Sequence, residues 1–374
     1  MTQLLRNPAQ PVHRHVSAAG PLLLLLLFAA GSACAAGQSD SGTPAGIATA
    51  APVPVICSRL IDIVEEKQDA IVDSLNRRGL AYEARGELDC AIQQFDRAIE
   101  LKPESSMLFN NRAVAYRKKG QIDRAIEDYN RAIYLSPENY EAFNNRGSAD
   151  YYLDQFDRAI EDFDQAIHLK SDYADAYNNR GGAFARKGDQ VSAIKDFNEA
   201  MRLKPDSVEA HYNLGVALLR LGQYGNAIAA FDGAIHLAPR LAEAYNNRGV
   251  ALNATGDCDR AIQSFSEALR LKPDYVEVLY NRAVSFFSKG QRDRAIQDLS
   301  DAIRVKPDYA EAFNNRGSIY AIEGQYDRAI QDFDEALRLK PDYSRAASNR
   351  ALTYQHRNEH GPVAQNPSSV SQQP

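Results

Sequence analysis

The stretch AEAFNNRGSIYAIEGQYDRAIQDFDEALRLKPDY, Ala310 to Tyr343, contains the whole pattern from which the fold can be inferred. Aligning the chain with itself gives eight such units of 34 residues, without insertions, and a truncated ninth. A period of this length is typical of repeat proteins, in which each unit buries its apolar face against its neighbours. The units begin at Val72, Ser106, Tyr140, Ala174, Val208, Ala242, Val276 and Ala310, and the ninth begins at Ser344.

Three positions of the unit carry small side chains. The eighth is glycine or alanine, and the twentieth and twenty-seventh are always alanine in the eight complete units. Two helices approach to about 8 Å only where the side chains between them are small. A glycine near the middle of most units suits a turn, and a proline near the end stops the second helix. Each unit is therefore predicted to form two helices.

This pattern resembles the tetratricopeptide repeat family over about 290 residues. The resemblance implies an all-α, right-handed superhelical solenoid of antiparallel helix pairs, whose first helices line a concave groove. The third unit departs from the pattern, because Asp154 replaces the turn glycine, Ser171 the proline and Asp150 an aromatic residue. We expect this unit to be the least regular.

The N-terminus is predicted to direct export. Arg6 and Arg14 precede an apolar run, residues 22–30, and the small residues GSACAAG, so residues 1–36 are typical of a signal peptide. Because the apolar run is short for about 30 Å of hydrocarbon, cleavage is favoured over an uncleaved anchor, and no transmembrane span is expected afterwards. The predicted location is a bacterial periplasm or the secreted medium, with a lipid anchor at Cys34 as an alternative.

The chain between and beyond these features is predicted from composition. Residues 37–55 are rich in Gly, Ala, Ser, Thr and Pro and are expected to form a flexible linker. A solenoid exposes apolar surface at its ends unless they are capped. An amphipathic pattern predicts an N-terminal capping helix at 56–71, before the eight units at 72–343. A C-terminal capping helix is predicted at 344–358, followed by a disordered tail at 359–374.

Asparagine occupies the sixth position of nearly every unit. On a helical wheel this position lies about 160° from the eighth, on the side away from the core. An exposed helix position has no packing reason to be asparagine, which is a mediocre helix former. A carboxamide that is free of intramolecular bonds can pair with the N–H and C=O of an extended peptide. The predicted peptide-binding residues are Asn111, Asn145, Asn179, Asn213, Asn247, Asn281 and Asn315.

This row resembles the asparagines in the repeat region of O-linked N-acetylglucosamine transferase, and the resemblance implies binding of a peptide main chain. The alternative is that the asparagines merely descend with a duplicated unit or bond a neighbouring helix. Further asparagines at the fifth position are weaker candidates that can bridge adjacent units. Acids recur at the second position and aromatic residues at other groove positions, a mixture that favours a basic and aromatic partner segment.

Arginine at the seventh position has a different explanation, because it lies on the packed side of the first helix. A buried guanidinium needs a partner. Every unit with aspartate at position 23 carries this arginine, and the unit that replaces it with Leu214 has Ala230 instead. The predicted structural ion pairs are Arg112 with Asp128, Arg146 with Asp162, Arg180 with Asp196, Arg282 with Asp298 and Arg316 with Asp332.

The remaining features bear on function and compartment. The sequence contains no P-loop, dinucleotide fingerprint, HExxH or CxxC motif, so we predict no catalytic residue, metal or cofactor. A formal net charge of −6 disfavours nucleic acid as a partner. Cys57 and Cys90 are candidates for a disulfide, which an oxidising compartment permits.

These features together predict an exported scaffold that binds an extended protein or peptide segment in its groove and acts as an adaptor or assembly factor. The alternative is an architectural solenoid that forms homo-oligomers through its convex face or its caps and has no groove ligand.

Overall fold

The computed structural model describes residues 55 to 360, with side chains from 64 to 359. The chain falls into two compact units, Met1–Asp62 and Ile63–Pro374. Of the first unit only residues 55–62 are described, and they are helical. The second unit contains all the repeats.

The described residues form seventeen helices and no strand. The helices are α1 Val55–Ala84, α2 Leu88–Leu101, α3 Ser106–Lys118, α4 Ile122–Leu135, α5 Tyr140–Tyr152, α6 Phe156–Leu169, α7 Ala174–Lys187, α8 Gln190–Leu203, α9 Val208–Arg220, α10 Tyr224–Leu237, α11 Ala242–Ala254, α12 Cys258–Leu271, α13 Val276–Ser288, α14 Arg292–Val305, α15 Ala310–Ile322, α16 Tyr326–Leu339 and α17 Ser344–His360. From α3 onward, odd-numbered helices are first helices of a unit and begin at its first residue. The prediction of an all-α repeat solenoid is confirmed.

Consecutive helices pack in an unbroken series. From α3 onward each first helix contacts the second helix of its own unit, and each second helix contacts the first helix of the next unit. Helix α1 meets α2 where Gly79 lies against Phe95. Several neighbouring first helices also touch each other, for example α5 with α7 and α7 with α9, whereas consecutive second helices in the described chain make no comparable contact. First helices therefore lie closer together and form the inner wall. We call the face that carries their sixth, ninth, twelfth and thirteenth positions the groove.

The small residues allow the close packing that the sequence predicted. An added Cβ at Gly181 would lie 2.8 Å from the ring of Phe197, so only glycine permits this approach without movement of the ring. Phe197 is 2% exposed and Ala193, in the same helix, is fully buried. Burying one such ring stabilises the fold by about 1.5–3 kcal/mol.

The ends of the repeat array differ in part from the prediction. Residues 55–84 form one continuous helix, so a separate capping helix at 56–71 is not observed, and the physical reason is that no glycine or proline interrupts residues 55–78. Helix α17 begins at the predicted Ser344 and extends two residues beyond the predicted end. The predicted signal peptide and the linker up to residue 54 lie outside the described residues, as does the tail from residue 361.

The third unit is more regular than expected. Its helices α5 and α6 have 13 and 14 residues, the lengths found in most other units. The departure in backbone geometry is confined to Asp154, whose φ of 59° makes it the one non-glycine residue with positive φ in the described chain. The turn geometry is thus imposed by the flanking helices, and aspartate tolerates it at a cost of about 1 kcal/mol.

Candidate groove interface

The sixth-position asparagines form a ladder between units. Each is half-buried, and its Nδ2 donates a hydrogen bond to the fifth-position side chain of the preceding unit. The acceptor is an asparagine Oδ1 in six cases and a tyrosine hydroxyl in two. The bonds are Asn111 to Asn76 2.9 Å, Asn145 to Asn110 3.0 Å, Asn179 to Asn144 3.0 Å, Asn213 to Asn178 3.1 Å, Asn247 to Tyr212 3.1 Å, Asn281 to Asn246 3.1 Å, Asn315 to Tyr280 2.9 Å and Asn349 to Asn314 3.0 Å.

This ladder corrects the expectation that the sixth-position amides are free of intramolecular bonds. One N–H of each is used, because neighbouring first helices lie close enough for the fifth and sixth positions to meet. Most fifth-position asparagines are buried, with Asn314 only 1% exposed. Leaving such a group without a partner would cost about 1–3 kcal/mol, so the ladder stabilises the solenoid.

The sixth-position asparagines fall into two classes, according to whether the side-chain carbonyl oxygen accepts a hydrogen bond within the protein. Asn247 and Asn315 accept a hydrogen bond on Oδ1 from the adjacent Asn246 and Asn314, at 3.2 Å in both cases. The other predicted binding residues accept no such bond from any described residue. These are Asn111, Asn145, Asn179, Asn213 and Asn281. Their Nδ2 is held by the ladder, so Oδ1 is a fixed acceptor.

The seventh-position arginines bind the aspartates named from the sequence. Each uses Nε and Nη2 on the two carboxylate oxygens, a geometry that is stronger than a single bond. The Nε distances are 2.7 Å for Arg112 to Asp128, 2.8 Å for Arg146 to Asp162, 2.8 Å for Arg180 to Asp196, 2.8 Å for Arg282 to Asp298 and 2.9 Å for Arg316 to Asp332. The hydrogen bond to Asp162 raises the pKa of Arg146 although burial opposes it.

Sequence reasoning missed a third bond of these arginines. Nη1 reaches position 25 of the preceding unit, for example Asp96 from Arg112 at 2.7 Å and Asn130 from Arg146 at 2.7 Å. The available signal was that position 25 always carries a short oxygen-bearing side chain in the complete units. The guanidinium therefore joins its own second helix to the unit before it, which is a structural task.

A recess of about 510 Å³ opens in the groove between the second and fifth units. We call it the front recess. Its lining includes two tyrosines, an arginine, a glutamate, two of the fixed amides, a glycine and a serine. They are Arg117, Tyr151, Tyr152, Asn179, Glu209, Asn213, Gly182 and Ser148.

A second depression lies in the groove at the seventh and eighth units and is mostly apolar. Val284, Phe287 and Ile319 line a volume of about 160 Å³. A neighbouring space of about 410 Å³ lies beside Ile322 and Leu352 at α17. We call the two together the rear recess. Phe287 is 38% exposed and Leu352 is 55% exposed, so this surface is accessible.

Other predicted features meet the structure only in part. Cys90 is exposed, but the side chain of Cys57 lies outside the described residues, so their disulfide stays a prediction. Among the described residues, no group of His, Cys, Asp or Glu is arranged to hold a metal ion. No helix in the described chain combines the length and apolar character needed to cross a membrane.

Comparison with known families identifies the class of protein. The tetratricopeptide repeat pattern matches residues 72–105, 106–139, 212–276 and 280–344, and the TPR repeat pattern matches residues 147–188 and 182–222. These matches cover most of the helical array, and the chain belongs to the tetratricopeptide repeat family. Proteins built from this repeat are in general scaffolds for protein partners rather than enzymes. A comparison with curated proteins finds no match.

Solved structures with the same fold share only a small part of the sequence with this chain. A Pseudomonas aeruginosa PilF structure is 20% identical, covers 57% of this chain and 96% of its own, and has a TM-score of 0.52. The Cut9–Hcn1 structure of the APC/C is 17% identical over 71% of this chain and 52% of its own, also with a TM-score of 0.52. YrrB, described as a TPR protein with an unusual peptide-binding site, is 27% identical over 50% of this chain and 96% of its own, with a TM-score of 0.46.

Proposed function

We propose that this protein binds an extended protein or peptide segment along its groove and serves as an exported adaptor or assembly factor. The observation that supports the proposal best is the set of five fixed amide oxygens without an intramolecular donor among the described residues. Each can accept a main-chain N–H whatever the side chain of the bound residue. Because the ladder holds the amides in place before binding, little conformational entropy is lost when the segment arrives.

Export rests on the N-terminal sequence, which lies outside the described residues. The two arginines, the apolar run and the small residues that follow support cleavage by a signal peptidase. Expression of the full chain in a bacterium, followed by cell fractionation and mass spectrometry of the N-terminus, tests this part. A cytoplasmic protein that retains residues 1–36 would contradict it.

Groove binding is tested with two matched double variants. Both Asn179→Ala with Asn213→Ala and Asn247→Ala with Asn315→Ala remove two ladder bonds. The second pair also removes the bonds donated by Asn246 and Asn314, so the second variant should lose at least as much stability as the first. Only the first pair removes amide oxygens that accept no hydrogen bond within the described chain and are free to bind a peptide N–H. Peptides selected from a random 12-residue phage library against the full chain should bind the first variant at least tenfold more weakly. They should bind the second almost as tightly as the unchanged protein, measured by fluorescence anisotropy.

The architectural alternative is favoured by one observation at the C-terminal end. In complete units the fourth, eighth and eleventh positions of the first helix pack against a second helix, but α17 has none after it in the described chain. Ala347 and Ala351 are exposed and Tyr354 is 38% exposed. This face fits a second copy of the chain. Sedimentation equilibrium should then show a dimer that Ala351→Glu converts to a monomer, and a monomeric unchanged protein would rule it out.

A further inference from the structure

The front recess contains charges that the fold does not neutralise. Building on the proposed groove binding, we propose that it selects a stretch of the bound segment that carries an acidic side chain for Arg117 and a basic side chain for Glu209. The two charges lie in different units, so their placement fixes the direction in which the segment lies.

Glu209 is not paired with a cation in its own unit. Two second-position acids pair with a lysine near the end of their own unit, Glu311 with Lys340 at 3.5 Å and Asp175 with Lys204 at 4.0 Å. In the fifth unit Ala238 stands at the lysine position. Glu209 has no lysine at that place, forms no ion pair with any described residue, and is exposed where it lines the recess.

Arg117 likewise forms no ion pair with a described residue. Its Nε is buried without a hydrogen-bond acceptor among the described residues. The neighbouring Lys118 is already paired with Glu83 at 2.8 Å. Burial raises the pKa of Tyr129 to about 12, and the positive charge of Arg117 nearby opposes that rise. Arg117 also lines the recess, so its guanidinium can donate hydrogen bonds to a ligand carboxylate there.

The recess has room for these side chains because two groove positions are small. The ninth position is valine in four units, including Val216 and Val250, but is Ser148 and Gly182 here. A Cβ added at Gly182 would come no closer than 3.9 Å to a neighbour, the ring of Tyr151. The space is open, and its volume is within the range of ligand pockets.

Tyr152 and the fixed amides complete the arrangement. Tyr152 is 72% exposed at the rim, where its ring can lie against the stem and cation of a basic side chain. The guanidinium carbon of Arg186 lies over the Tyr151 ring, 5.7 Å from the ring centre. Arg186 also forms an ion pair with Asp154, with 2.7 Å between Nη2 and Oδ1. Asn179 and Asn213 line the same recess and supply acceptors for the main chain of the segment between the two charges.

The test uses a random 12-residue phage-displayed library selected against the full 374-residue chain and its charge-reversed variants. Against the unchanged protein, enriched clones should carry an acidic and a basic residue in the same stretch. Glu209→Lys should replace the basic preference by an acidic one, and Arg117→Glu should replace the acidic preference by a basic one. The double variant should enrich the reversed order of charges.

One substitution tests the space in the recess, and control substitutions in the same chain accompany it and the charge reversals. Gly182→Val should weaken binding of the selected peptides at least tenfold, whereas Gly225→Val, at an exposed position with nothing within 4 Å, should not change it. Glu243→Lys alters the same position as Glu209 one unit later and should leave the charge preference unchanged. Circular dichroism verifies that each variant is folded.

The outcomes separate this inference from the proposed function. Suppose that the selected peptides require Asn179 and Asn213 but keep the same charge pattern in both charge-reversed variants. This result would contradict charge selection by the front recess and leave the proposal of groove binding intact. Absence of any enriched peptide, or binding that ignores both asparagines, would overturn both.

Discussion

The front half of the groove, helices α3 to α9, and the rear half, helices α11 to α17, share one frame but present different surfaces. The amide ladder runs through both, and so do the arginine–aspartate pairs. The front half has the half-buried Arg117 and the exposed Tyr152 and Glu209, whereas the rear half exposes Phe287 and Ile322. Side chains that face a neighbouring helix stabilise the shared backbone structure. Side chains that face the groove can therefore differ between the halves at little cost in stability. Substitutions that transfer or remove the features distinguishing the halves test this difference.

The largest effect is expected from an arginine that loses its aspartate. Asp298→Ala leaves Arg282 hydrogen-bonded only to Ser266 among the described residues, at 3.1 Å, whereas after Asp196→Ala the front Arg180 keeps Asp164 at 2.5 Å. We expect the free energy of unfolding to fall by about 3 kcal/mol in the rear half and by about 1–2 kcal/mol in the front half. Urea unfolding followed by circular dichroism measures both.

A double change in the front half serves as control. Arg180→Leu with Asp196→Ala reproduces the Leu214 and Ala230 pair of the fifth unit and should recover most of the stability lost by Asp196→Ala alone. Equal losses for Asp196→Ala and Asp298→Ala would show that Asp164 does not support Arg180.

An intermediate effect is expected at Asp150, which occupies the aromatic position held by Phe286 in the rear half. Asp150 is 1% exposed and its Oδ1 has no partner in the described chain. Burial raises the pKa of this carboxyl, and Arg158, 3.9 Å away, only partly opposes it. Asp150→Phe should stabilise the protein by about 1–2 kcal/mol at neutral pH, measured by urea unfolding.

The same carboxyl predicts a pH dependence. Because its pKa is higher in the folded than in the unfolded state, the folded protein holds more protons, and Asp150 lowers stability as pH rises above the ordinary value of 3.8 through the raised pKa. Asp150→Asn should remove that decline from a series of urea titrations. An unchanged decline would assign it to other groups.

The smallest effect is expected at Asp154, where the rear half has Gly290. Glycine adopts positive φ without strain, but the substitution also removes the exposed pair with Arg186. Asp154→Gly should raise the free energy of unfolding by about 0.5 kcal/mol. A decrease would mean that the ion pair contributes more than the backbone strain costs.

The fold could be predicted from the repeat, because the same small, aromatic and helix-ending residues recur at the same positions in eight units. The arginine–aspartate partners also followed from sequence, since both positions change together in the fifth unit. The continuity of α1 also follows from the sequence, because no glycine or proline stands between residues 55 and 78.

The sequence by itself determined the helices, their pairing and the side of each helix that is packed, since these depend on periodicity within one unit. Only the tertiary structure decided which amide groups remain available, because the ladder joins residues 35 positions apart in different units. The front recess likewise arises where Arg117, Gly182 and Glu209 from separate units meet across the groove. Distances between units depend on how closely neighbouring helices pack, and no single repeat contains that information.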